Sequence, residues 1–300
     1  MKIYDYTNIE KCLVTKSQDF AAKNVFRDIT ERFKIGEKYR DNKLENSVII
    51  ICENIYFQDK GRDYYLNKLK DYNKLLQEHN CYVLFMRGRD NPIYHMGDDM
   101  SINLSNIKTI DDCCIVKFKD YAVLCIGGSI SEDRKWKIKY GEYLHRKLYW
   151  EDEKIQLDMN DIKNALNENT ITCVITSASP TTFCEPSMYG FGPWVQNDEN
   201  LRNDLIEERK TVESLYNLFN KMNKKPIIWL LTKNDSQMCG FSRDIYFASV
   251  REYEYQNVLE ITRDIPKTKD LLSSLTYDET SFGESSILGS NLYHFDADLI

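Results

Sequence analysis

The residues best equipped for chemistry in this 300-residue chain stand in short polar clusters, each placed just after an apolar run. Thr232-Lys233-Asn234-Asp235 follows the run from Pro226 to Leu231, and Thr176-Ser177-Ala178-Ser179-Pro180 ends the run that begins at Thr172. Arg87-Gly88-Arg89-Asp90-Asn91-Pro92 follows Tyr82–Met86, Glu53-Asn54 follows Val48–Cys52, and Thr7-Asn8-Ile9-Glu10-Lys11 follows Lys2–Tyr4. Together they offer four acids, Glu10, Glu53, Asp90 and Asp235, and, besides Lys11 and Arg87, the cations Arg89 and Lys233. Asn8 and Asn54 add neutral amides, and Ser177 a small hydroxyl. Ion pairing and anion binding are within reach of such a set. Two-metal hydrolysis is not, because it needs converging imidazoles and carboxylates. The chain has only four His, at 79, 95, 145 and 294, and none lies in a cluster. His95 comes closest, soon after Pro92. Ser177 and Ser179 have no His or Lys base fixed beside them by sequence, so they do not read as nucleophiles. The expectation is no catalytic residue and no metal ligand, with Arg89 and Lys233 paired to some of Glu10, Glu53, Asp90 and Asp235.

Short apolar runs bounded by polar turns predict strands at Lys2–Tyr4, Val48–Cys52, Tyr82–Met86, Cys114–Phe118, Tyr121–Ile126, Thr172–Thr176, Ile227–Leu231 and Ile245–Ala248. Phe118-Lys119-Asp120-Tyr121 reads as a tight hairpin connection. Apolar residues at three- to four-residue steps predict helices at Gln18–Phe33, Tyr64–His79, Arg134–Tyr149, Met159–Asn167 and Leu201–Asn223. Strand–helix–strand order at the start implies parallel pairing, and the hairpin implies an antiparallel part.

Seven segments resemble the ligand and framework motifs of the calcineurin-like metallophosphoesterases, a bacterial branch in particular. Where that family has Gly-Asp-x-His-Gly, the chain has Thr7–Lys11. Where it has Gly-Asp, the chain has Glu53-Asn54, and where it has Arg-Gly-Asn-His-Asp-(Asp/Asn)-Pro, the chain has Arg87–Pro92, one residue short. Thr-His-x-x-Pro becomes Thr176–Pro180, and Gly-His-Phe-His becomes Thr232–Asp235. Gly127-Gly128-Ser129-Ile130-Ser131-Glu132-Asp133-Arg134 is similar to the family's Gly-Gly-Ala-x-Ser-x-Asp-Arg, and Tyr149–Glu153 to its Tyr/Trp-Trp-x-x-Glu. The resemblance covers Lys2 to about Tyr255. It implies an α/β fold, a mixed two-sheet sandwich flanked by helices in four layers (α-β-β-α), with a former cleft at Asn8, Glu10, Glu53, Asn54, Arg89, Asp90, Ser177, Lys233 and Asp235. It also implies a scaffold whose metal ligands are gone, since Asn8 and Asn54 keep the shape of Asp without its charge.

Composition sets the remaining bounds. With 12 Gly, 6 Pro and no linker-like stretch, the chain reads as one domain over 1–266 and a polar tail over 267–300. A formal charge of −7 argues against general binding to nucleic acid or anionic membrane. Nine Cys, an odd number, three of them (Cys52, Cys125 and Cys173) within apolar runs, read as reduced core residues of a cytoplasmic protein. The functional expectation is a pseudoenzyme of the phosphoesterase type without cofactor. It would bind a protein partner or a phosphorylated small molecule through the cleft. The alternative is a phosphohydrolase with a rebuilt site, weakly holding Mg or Mn through Glu10, Asp90 and Asp235, with His95 a distant candidate. A third reading places the working surface elsewhere, such as the tail after Lys267.

Overall fold

The computed structural model describes residues 1–16, 29–31, 44–52, 62–88, 103–145, 147–183, 192–233, 239–250 and 256–258. The chain divides into a unit of Met1–Arg263 and a unit of Asp264–Ile300, and every described residue belongs to the first. Twelve strands are described: β1 (Lys2–Asp5), β2 (Lys11–Lys16), β3 (Ser47–Cys52), β4 (Tyr82–Met86), β5 (Ile107–Thr109), β6 (Cys113–Lys117), β7 (Ala122–Ile126), β8 (Cys173–Thr176), β9 (Ile228–Leu231), β10 (Cys239–Ser242), β11 (Ile245–Ser249) and β12 (Gln256–Asn257). The helices are α1 (Arg62–Glu78), α2 (Arg134–Tyr143), α3 (Met159–Glu168), α4 (Gly192–Asn197) and α5 (Leu201–Met222), with a 3₁₀ turn at Glu151–Glu153.

Two sheets result. The larger is mixed and runs β1-β6-β7-β8-β9-β11-β10; the smaller runs β12-β2-β3-β4-β5, parallel from β2 to β5. In β3 every residue is buried, which a strand covered on both faces requires. Its alternate residues serve two cores. Ile49 and Ile51 pack with Val83 and Phe85 under Leu69 and Leu76 of α1, while Val48, Ile50, Cys52, Leu84 and Met86 bury the other face. The larger sheet repeats this. Leu124, Val174, Trp229 and Leu231 pack against Ile162 and Leu166 of α3 and Val212, Leu215 and Phe219 of α5.

The faces turned away from the helices meet each other. Burial raises the Cys12 thiol far above its usual range, and Cys173 of the opposite sheet pushes it the same way. The Tyr6 and Tyr82 rings lie 5.1 Å apart.

Several expectations need correction. Lys11–Lys16 is a strand, not the end of a ligand motif, and β5, β10 and β12 are additional. Helix α2 stops at Tyr143 rather than Tyr149, because His145 takes a left-handed φ of 51° and turns the chain. Of the predicted helix Gln18–Phe33, only 29–31 is described, and it is helical. The Phe118–Tyr121 connection is present, closed by the Phe118 N–H donating to the Tyr121 carbonyl at 2.9 Å.

Candidate functional site

Strand direction decides where the polar clusters meet. In the larger sheet Ile126, Thr176 and Leu231 lie side by side at the ends of three parallel strands. In the smaller sheet Lys16, Cys52 and Met86 do the same. The Gly128 N–H donates to the Arg87 carbonyl at 2.8 Å, so both sets of ends share one edge of the sandwich. The loop Gly127–Asp133, Ser177 and Lys233 all fall on it. Carboxyl ends of parallel strands are where α/β folds place their ligands.

Lys233 is the centre of this edge. Its backbone N–H extends the β8–β9 ladder to the Ser177 carbonyl at 3.1 Å. That directs the side chain under the loop, where Nζ donates to the Ile130 carbonyl at 2.8 Å and to Glu208 Oε2 at 3.1 Å. Glu132 Oε1 lies 3.2 Å away. The side chains are nearly buried, at 11% for Lys233, 8% for Glu132 and 2% for Glu208, so the ammonium exchanges water for carboxylates. The Ile130 carbonyl and the two carboxylates thus converge on Nζ. Glu208 Oε1 also accepts from the Ile130 N–H at 2.7 Å, which pins the loop to α5.

The loop itself is stitched on its other side. Ser129 N–H donates to the Glu153 carbonyl at 2.7 Å, and Ser131 Oγ to Glu153 Oε2 at 2.6 Å. Gly128 sits at φ 99°, and a Cβ there would come within 2.9 Å of the Glu153 carbonyl oxygen; the position demands glycine on both counts. Arg134 ends the loop with Nε 2.5 Å from Asp198 Oδ2 and Nη1 2.6 Å from Asp204 Oδ2. That guanidinium holds the Asp198 carboxyl below its ordinary range. Arg87 clamps Asp112 in two-pronged fashion at 2.7 and 2.6 Å and reaches the Asp152 carbonyl. Ser177 Oγ donates to the Gly128 carbonyl, so its proton is committed to structure. Ser129 Oγ and Thr232 Oγ1 are buried at the same edge without a hydrogen-bond partner.

Asn8 and Glu10 are not brought to this edge. β1 runs parallel to β6, and β6 antiparallel to β7, so the end of β1 lies beside the start of β7. The Glu10 carbonyl accepts from Tyr121 Oη at 2.8 Å, at that opposite edge. A strand length, roughly 15 Å, separates the two. The strand that ends at the site is β2, and the residue there is Lys16, 2% exposed. Glu53, Asn54, Arg89, Asp90, Asp235 and His95 lie outside the described residues.

Glu132 and Glu208 meet Lys233; of the acids expected there, Glu10 lies at the opposite edge, and Glu53, Asp90 and Asp235 lie outside the described residues. Glu208 had a signal in the sequence. It interrupts the apolar stripe Leu201, Leu205, Val212, Leu215 and Phe219 of α5 at a core-facing step.

Among the described residues no group of three His, Cys, Asp or Glu could hold a metal ion.

No family model and no curated protein matches the chain. Among solved structures it is similar to a point mutant of a cold-active protein tyrosine phosphatase, at 12% identity and a TM-score of 0.35, over 84% of this chain and 73% of the other. A second cold-active protein tyrosine phosphatase structure is similar at 11% identity and a TM-score of 0.32, over 84% and 72%. Neither likeness is close enough to bear on fold or chemistry. Among the described residues no helix is long and apolar enough to cross a membrane.

Proposed function

We propose that this chain is a catalytically inactive protein built on a metallophosphoesterase-like scaffold, and that it acts by binding a protein partner. The observation that carries the reading is the Lys233–Glu132–Glu208 trio: an ammonium saturated by two carboxylates and a carbonyl stands where a metal-binding edge would need open acids and imidazoles. The same trio argues against a phosphorylated small molecule at Lys233. A phosphate there would compete with two carboxylates already set against this ammonium. The rebuilt-site alternative loses one of its three acids, because Glu10 belongs to the other edge. The described cysteines are free thiols, buried except Cys113 and Cys239, which suits a reducing compartment.

The test pairs metal content with activity. Protein expressed with Mn, Fe and Zn supplementation is assayed by inductively coupled plasma mass spectrometry and with bis(p-nitrophenyl) phosphate plus Mn. The expected result is substoichiometric metal and no turnover above a denatured control. Stoichiometric metal with turnover overturns the reading. Inorganic phosphate is expected to leave the thermal midpoint unchanged.

A further inference from the structure

Helix α2 leads out of the site loop and carries an aromatic face. Trp136 is 45% exposed, Tyr140 40% and Tyr143 78%. Their spacing of four and three residues places them on one side of the helix. The rings form a ladder, Trp136 on Tyr140 at 4.8 Å and Tyr140 on Tyr143 at 6.2 Å, with interplanar angles of 21° and 15°. Ile138 of the same helix is also exposed, while the other large exposed apolar residues described, Ile3, Trp194 and Ile227, are scattered over other elements. A cluster of this kind marks an interaction surface where single exposed residues do not.

The helix cannot roll to hide these rings. Its opposite side is fixed by buried Arg134, tied to Asp198 and Asp204, and by Lys137, paired with Asp133 at 2.6 Å. These inward cations are neutralised within the fold. The outward ones, Lys135 and Lys139, flank the ladder in solvent, with Glu142 the exposed acid of the helix. The face is therefore apolar, aromatic and positively fringed on a protein whose formal charge is −7.

Three occupants fit an aromatic, basic face, and the geometry separates them. Single-stranded nucleic acid stacks its bases on open ring faces. Here the Tyr140 ring is stacked with both Trp136 and Tyr143, which leaves fewer open ring faces, and two lysines are few for a phosphate backbone. A second copy would bring Lys135 and Lys139 toward their own likeness. An acidic segment with apolar side chains meets both features, laying its aliphatic groups on the ring edges and its carboxylates beside the lysines.

We propose that the α2 face of Trp136, Tyr140 and Tyr143, fringed by Lys135 and Lys139, docks an acidic apolar peptide segment of a partner protein. This goes beyond the reading of the strand edge and holds whether or not that edge is catalytic.

The experiment uses the full chain and a fluorescein-labelled amphipathic peptide with Leu and Phe on one helical face and Asp and Glu on the other, followed by anisotropy. Saturable binding that weakens with added salt is expected. Tyr143→Ser, and separately Lys135→Glu with Lys139→Glu, are expected to weaken it about tenfold without moving the thermal midpoint, since these side chains lie in solvent. Absence of peptide binding, or binding untouched by both variants, overturns the proposal. So does preferential binding of labelled oligothymidylate, which would make the face a nucleic-acid surface. Dimerisation in sedimentation that Tyr143→Ser abolishes, without peptide binding, would assign the face to a second copy and overturn it equally.

Discussion

Among the described residues, the edge where β2–β4 and β7–β9 end buries most of its charges, whereas the edge where β7 begins leaves them in water. At the first, Lys16, Arg87, Lys233, Glu132 and Glu208 are all less than 12% exposed by residue or side chain. At the second, Asn8, Glu10, Lys119 and Asp120 are exposed. Both edges carry polar loops of similar composition. Burial makes the difference, because a charge taken out of water must find a partner or lose several kcal/mol. Among the described residues the first edge is therefore the organised polar system, and it holds Glu132 and Arg134 of the Gly127–Arg134 segment.

If that contrast is right, the largest loss comes from Arg134. Arg134→Met leaves Asp198 and Asp204 without their guanidinium and should destabilise the fold by about 3–5 kcal/mol in urea denaturation. Lys2→Met, which breaks the exposed pair with Asp111 at 3.3 Å, should cost under about 1 kcal/mol. The Arg134 effect should also depend on pH. The Asp198 carboxyl is held below its usual 3.8, chiefly by its bonds to Arg134. A depressed carboxyl contributes stability in full above its unfolded value and loses it as pH falls through the folded value. The gap between native protein and Arg134→Met should thus be constant at neutral pH and shrink below 3.8.

Next in size is Lys233→Met, expected to cost about 3 kcal/mol by leaving Glu132 and Glu208 facing each other. Adding Glu208→Gln should recover part of that loss, and a coupling below about 0.5 kcal/mol in the double-mutant cycle would break the claim that the trio acts as a unit. Gly128→Ala should cost about 2 kcal/mol through its positive φ and the Glu153 carbonyl, read as a drop in thermal midpoint. Smallest of all, Asn8→Ala and Glu10→Gln should each stay within about 0.5 kcal/mol of the native protein. A large effect from either would erase the distinction between the edges.

Legibility in the sequence followed locality. The strands Val48–Cys52, Tyr82–Met86 and Thr172–Thr176 announced themselves as unbroken apolar runs, because strands covered on both faces have no polar side to show. Helices α3 and α5 showed their stripes, and Asp158 caps α3 by accepting from the Asn160 and Asp161 N–H groups at 2.9 and 3.1 Å, a local device. β2 was hidden by its own position. Cys12-Leu13-Val14 is short, flanked by Lys11 and Lys16, and directly follows another strand, so Thr7–Lys11 reads as the turn after the first strand rather than the approach to a second. Asn8 and Glu10 precede β2 and so lie at the edge where it begins.

What the chain determined by itself is the menu of elements and the polar side chains available at their ends, Lys16, Arg87, Ser177 and Lys233 among them. Those are properties of neighbours in sequence. Which ends share an edge, and which acids meet Lys233, were decided only by the tertiary structure. β1 enters the larger sheet beside β6 and antiparallel in direction to β7, a choice no residue of β1 records. Glu208 meets the Ile130 backbone across 78 positions of sequence. Pairing at that range is fixed by the packing of α5 on the sheet, which settles every side chain of the helix at once.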